Sequence, residues 1–169
     1  FYRTTEELPE FTDYSMKNRT YRYMESEALY PFGYGLSYTR FILQKTKISS
    51  FEVTSEGILV ETEVENVGAY DGAETVQVYI KVEQSGTPHA QLKGLCKVFL
   101  RKGEKKQVKI QLKEVDFGLY EEDGKKKVTK GNCRIYIGTS QPDLRSCCLR
   151  EEKPEEFLVQ VLESRIVEE

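Results

Sequence analysis

The chain has no tryptophan and, across 169 residues, a single histidine, His89. Without tryptophan it lacks the ring most suited to an exposed stacking platform for sugars. With one histidine, any Ser-His-Asp triad would have to use His89, and no G-x-S-x-G nucleophile elbow accompanies it. Its place in a loop with Gly86 and Pro88 reads as surface rather than as a base. The four cysteines (Cys96, Cys133, Cys147, Cys148) have neither C-x-x-C spacing nor neighbouring histidines, so no zinc cluster is expected. Phosphate-loop and dinucleotide fingerprints are absent too, and no cofactor or metal is expected. No apolar run approaches the ~18 residues of a membrane span, and no leader-like segment opens the chain. Neither sign of charge prevails: 25 basic against 28 acidic residues leave a net charge of −3. The lysines between 102 and 130 are interleaved with Glu104, Glu114, Asp116 and Glu121, which describes a solvated face and not a nucleic-acid surface.

Acids are plentiful, but those on candidate strands alternate outward and the rest fall in turns. None sits in an apolar, concave context that would raise its pKa for acid–base work. No catalytic residue is therefore assigned. Four thiols without a framework read as reduced groups of an intracellular protein, which makes a cytoplasmic location the expectation, with secretion the open alternative. A Cys96–Cys133 bridge stays open at this level.

What the chain does have is unevenly spread. Residues 1–41 hold 7 of the 11 tyrosines and 4 of the 8 phenylalanines, with no helical or strand period. Within YPFGYGLSYTRF (Tyr30 to Phe41), Pro31, Gly33 and Gly35 block any regular element. Left in water, so many rings would waste their apolar area. The segment is expected to lie on a surface, of this domain or of another, with Tyr30, Phe32, Tyr34 and Tyr38 as packing wedges.

After Phe41 the pattern changes to period two. Ile58, Val60, Thr62 and Val64 face one way, and Leu59, Glu61, Glu63 and Glu65 the other. Val76, Val78, Ile80 and Val82 repeat the pattern, as do Val108, Ile110 and Leu112, then Cys133, Ile135 and Ile137. Asp123-Gly124 is a hairpin signal. About seven short strands separated by turn residues predict an all-β antiparallel sandwich of the immunoglobulin or fibronectin type III kind, preceded by an irregular extension. Leu144 to Arg150 and Phe157 to Leu162 are expected as one or two late strands. The expected divisions are 1–40 as the end and linker of a preceding domain, 41–148 as the sandwich, and 149–169 as an acidic extension with room for one added strand.

One longer pattern is more specific. LPEFTDYSMKNRTYRYMESEALYPFGYGLSYTRF (Leu8 to Phe41) resembles the C-terminal part of glycoside hydrolase family 3 enzymes, β-glucosidases above all. ENVGAYDGAETVQVYI, QLKGLCKVFLRKGEKKQV, FGLYEEDGKKKV and IGTSQPDLR resemble the fibronectin type III-like module that ends many of them. The resemblance implies a structural module joined to upstream catalytic domains of the same chain, which would carry out retaining hydrolysis of terminal β-glucosides or related sugars. Neither the family's nucleophile motif nor its acid/base loop occurs here. The opening at Phe1, in mid-pattern, is read as part of such a longer chain. The resemblance also implies that Tyr21, Arg22 and Tyr23 lie nearest a substrate entrance, where arginine could donate to hydroxyls and tyrosine stack on a pyranose. An independent carbohydrate- or protein-binding module is the alternative.

Overall fold

A computed structural model describes residues 2–84 and 86–167. Residue 1 of the expected linker and residues 168 and 169 of the expected acidic extension lie outside the described residues.

Two sheets face each other. The first has the order β1-β2-β5, from β1 (Phe41–Ile48), β2 (Ile58–Asn66) and β5 (Lys105–Leu112). The second has the order β4-β3-β8-β9, from β3 (Gly72–Val82), β4 (Gln91–Leu100), β8 (Gly131–Gly138) and β9 (Glu155–Val161). Every pairing in both is antiparallel. Three plus four strands make the seven-strand sandwich. A small third sheet, ordered β10-β7-β6, adds β6 (Leu119–Tyr120), β7 (Lys126–Val128) and β10 (Arg165–Val167), with the Asp123-Gly124 turn between β6 and β7.

The alternation read from sequence sets the core. Ile58, Val60 and Val64 of β2 face Val76, Val78 and Ile80 of β3 in one cluster, joined by Leu112, Phe117, Ile135, Ile137 and Val159. On the solvent side of β2, Glu61 and Glu65 sit opposite Lys109 and Lys105, and Glu63 meets Lys45. Asn66 ends β2 with all its side-chain capacity used. Its Nδ2 donates to the carbonyls of Tyr70 and Leu100 (2.8 and 3.2 Å), and its Oδ1 accepts from Thr39 Oγ1 and Gly68 N (2.8 and 3.1 Å).

The edges are guarded in different ways. β1 is broken between Gln44 and Lys47 by a register shift, with Lys45 at φ 54°, so its free edge is kinked and lysine-bearing. At the other side, Val53 N donates to Gln160 O (2.8 Å) and Gln160 N to Phe51 O (2.9 Å), so residues 51–53 cover the outer edge of β9.

One late-strand expectation is corrected. Leu144–Arg150 is a helix, α2. Asp143 is its N-cap and accepts from both Ser146 N and Ser146 Oγ (2.9 and 2.6 Å), while Glu151 ends it at φ 54°. The Asp-x-x-Ser capping signal outweighed the strand-like run after it. Segment 149–167 supplies the strands β9 and β10, and β9 is a full member of the four-stranded sheet.

Candidate functional site: a latch and a cleft on the outer sheet face

β3 is unusual among the strands because both of its faces are buried. Val76 and Val78 point into the sandwich, and Gln77 and Tyr79, on the opposite face, are buried as well. What covers them is the N-terminal extension. A short helix, α1 (Thr20–Tyr23), lays Tyr21 flat on Phe32, with ring centroids 4.1 Å apart at 8°. Tyr21 also meets the edge of Tyr79 at 6.4 Å and 86°. The Tyr21 hydroxyl accepts from Leu92 N (3.1 Å) on β4.

Hydrogen bonds fix the extension at further points. Tyr79 Oη donates to Gln77 Oε1 (2.6 Å), and Gln77 Nε2 donates to Gly33 O and Thr139 O (3.2 and 2.8 Å). Burial, ahead of the neighbouring Tyr21 and Asp143, pushes the Tyr79 hydroxyl well above the usual phenol pKa, so it stays a donor. Gly33 has φ +76°, and a Cβ there would stand 2.3 Å from Gln77 Oε1, so only glycine fits this crossing. Gln141 N donates to Phe32 O (3.1 Å). Arg150, from α2, donates to Gly35 O (3.0 Å) and Glu74 Oε2 (3.1 Å) and to Thr139 Oγ1. His89 N donates to Arg22 O (2.8 Å), and its Nε2 lies 3.2 Å from Met24 O, an arrangement that calls for the proton on Nε2.

Of the residues singled out in sequence, Tyr21 and Phe32 come together as this latch. The Arg22 guanidinium lies 6.0 Å from the Tyr21 ring centroid, while Tyr23 is half-buried beside it. Tyr30 stacks on Tyr34 at 6.0 Å and remains largely exposed. Tyr38 is not brought to any of them and is 98% exposed. Gln77, Tyr79 and Arg150 were not singled out. Alternation could place the first two on a sheet face but carries no signal of what lies over that face.

Beside the latch, residues 24–28 and 30–32 and the side chains of Lys81, Tyr136 and Arg145 line a cleft of about 460 Å³. Desolvation lowers the pKa of Lys81 and, as the larger cause, raises that of Tyr136. Hydrogen bonds from Lys109 and then Lys47 hold Glu61 down at about 2. Among the described residues no three His, Cys, Asp or Glu side chains gather as metal ligands, and all four cysteines are free. Cys96 pairs with Val76 and Cys133 with Val82, six residues apart on β3, or roughly 20 Å at ~3.3 Å per residue. A bridge between them cannot form within the chain.

Residues 74–141 match the fibronectin type III-like domain model. The chain is 36% identical to a xylan 1,4-β-xylosidase of Xylanibacter ruminicola, across 85% of its own length and 17% of the relative's. It is 42% identical to a β-glucosidase of Kluyveromyces marxianus, across 76% and 15%. A β-glucosidase from Listeria innocua, solved in complex with glucose, superposes with a TM-score of 0.67 at 33% identity, over 83% of this chain and 19% of that one. The chain belongs to the C-terminal, fibronectin type III-like region of glycoside hydrolase family 3. It spans less than a fifth of the length of these family 3 relatives. Within this family 3 module, the model match covers β3 through the start of the β8–α2 connection. The extension and β9 lie outside that match yet complete the same packing unit.

Proposed function

We propose that this chain is the non-catalytic accessory module of a family 3 glycoside hydrolase, and that its extension packs against the catalytic part. The activity that module would serve is retaining hydrolysis of terminal β-glucosides or related sugars such as β-xylosides. One observation carries the reading. The exposed apolar residues on the strands of the two main sheets, such as Leu95 (61%) and Phe99 (57%), keep part of their surface covered, whereas Phe11 (93% exposed), Tyr14 (89%), Leu36 (90%) and Tyr38 (98%) of the extension stand almost wholly in water. Single exposed apolar side chains are ordinary, but a run of them along one short extension marks a surface built to be covered. Tyr30, Tyr34 and Tyr38 belong to that packing surface in this reading. Tyr21, Arg22 and Tyr23 lie next to it, on the side from which a substrate entrance would be reached. Four unpaired thiols support a reducing compartment such as the cytoplasm.

The purified chain is expected to hydrolyse neither p-nitrophenyl β-glucoside nor p-nitrophenyl β-xyloside above the buffer rate. Turnover that survives repurification, and that disappears on replacing one carboxylate of this chain, overturns the accessory role.

A further inference from the structure

Several polar groups of the cleft beside the latch are committed, and one buried donor is not. Lys81 Nζ donates to Thr87 O and Oγ1 (3.2 and 3.0 Å), Asp143 caps α2, Glu27 pairs with Arg3, and His89 meets Met24 O. That donor belongs to Arg145. Its Nε–H is buried with no acceptor, and its guanidinium forms no hydrogen bond or ion pair among the described residues. A buried donor left unmade costs the free chain stability, and native proteins rarely leave one so. The cavity is of the size that takes a ligand or a short peptide segment. Charges of both signs stand around it, Glu25, Glu27 and Asp143 against Lys81 and Arg145, which disfavours an ionic occupant of either sign. A neutral oxygen acceptor suits it best.

We propose that this cleft is a socket for a neutral, carbonyl-bearing peptide segment from the part of the family 3 chain that relatives carry beyond the matched region. Among the described residues no bond holds the Arg145 side chain, so a change of rotamer turns its donors onto a backbone carbonyl of that segment. Two further features support a peptide from the same chain. The relatives are more than five times longer than this module, so a large covalently joined partner is at hand. The exposed apolar residues Leu29 and Leu36 flank the cleft-lining Tyr30 and Phe32 in sequence, which makes the socket continuous with the surface assigned to packing above. This inference rests on the accessory-module reading.

The test is hydroxyl-radical footprinting of the chain alone and of the longer polypeptide that contains it. Met24 and His89 report the cleft, and Phe11, Tyr14, Leu36 and Tyr38 report the extension's outer surface. In the longer polypeptide, oxidation of both sets is expected to fall several-fold. Arg145→Met in that polypeptide should restore oxidation at Met24 and His89 and leave the outer surface protected. The same substitution in the chain alone should leave its thermal midpoint unchanged or raised, because it removes an orphaned donor. A midpoint lowered by several degrees shows a structural partner for Arg145 and overturns the socket. So does protection of the outer surface with Met24 and His89 oxidised as before, and the accessory role then stands. Protection of neither set, or the lack of any longer polypeptide, overturns both. Protection of Met24 in the chain alone by glucose or xylose makes the cleft a sugar site instead, and protection that grows with chain concentration makes it a self-association surface. Either result overturns the socket.

Discussion

The sandwich and the extension spend their apolar residues in opposite ways. In the sandwich, Val, Ile and Leu at alternating positions meet each other between two sheets, and the polar ends are closed by residues such as Asn66. In the extension, Tyr21 and Phe32 turn onto the outer face of β3, while Phe11, Tyr14, Leu36 and Tyr38 stand almost wholly exposed. One region closes its own core, with Leu95 and Phe99 of β4 left on its surface. The other is half complete, and the seam between its two halves runs through residues 20–36. A module that both closes its own fold and offers a face to another body needs this division, because the same rings cannot serve both ends at once.

The contrast can be broken first in the core. Ile135→Ala removes a fully buried side chain from β8 and should cost about 2–5 kcal/mol. Phe11→Ala and Tyr38→Ala should stay within about 0.5 kcal/mol. Urea denaturation of the three variants checks this, and equal losses would erase the distinction between the regions. Next comes Asn66→Ala, which strips four hydrogen bonds and leaves the Leu100 carbonyl short of a partner in the interior. A loss of about 2–4 kcal/mol is expected in the same assay, with the slope against denaturant unchanged.

The seam itself is addressed by Tyr21→Ala and Gly33→Ala. Tyr21→Ala loses a stacked ring and the acceptor of Leu92 N, and about 1–2 kcal/mol of stability is expected to go with them. Amide exchange should accelerate at residues 20–36 but not in β2 or β8. Acceleration spread evenly over the sandwich would show that the extension is part of the core and not a latch on it. Gly33→Ala should give the same exchange pattern, since a methyl group at that crossing displaces the Gln77 amide.

The smallest effect concerns pH. Glu61, Glu63 and Glu104 all have carboxyls held below the ordinary value, Glu61 through Lys109 and Lys47, Glu63 through Lys45, Glu104 through the Arg101 backbone N–H. A folded-state pKa below the unfolded one contributes stability that is present above about 4.5 and lost as pH falls towards the folded value, about 2 for Glu61. These groups face solvent, so the decline should be shallow. Thermal midpoints from pH 6 to pH 2 should fall gradually. In Glu61→Gln the part of that fall due to this carboxylate should be missing. The slope should not change in Tyr38→Ala, which keeps the effect on the sandwich side of the comparison.

Much of the sandwich was legible because a half-buried strand writes its inner face at every second residue. Val60, Val64, Val78 and Ile135 are all where alternation puts them. Helix α2 was misread because Leu144, Ser146 and Cys148 alternate with Arg145, Cys147 and Leu149 without favouring either period, and only the Asp143 cap decides. The site was less legible still. Tyr21 and Phe32 were visible as rings in need of a surface. Their partner Tyr79 sits on the nominally outward face of β3, and its burial depends on a chain segment 40 to 60 residues away. Arg145 and Arg150, five residues apart on α2, have identical chemistry and opposite situations, one without a partner among the described residues and the other holding three. Spacing alone cannot separate them.

Residues 51–53 over the outer edge of β9 carry a consequence for synthesis. β9 is made after every other strand of the two main sheets, yet β8 lacks its second neighbour until β9 arrives. Residues 51–53 must likewise wait for Gln160, more than a hundred residues later. A ribosome therefore releases nearly the whole module before its last main strand can seat. Until then Ile135 and Ile137 lie along an open edge, and a chain stalled just short of residue 155 would present that edge to chaperones and to other nascent copies of itself.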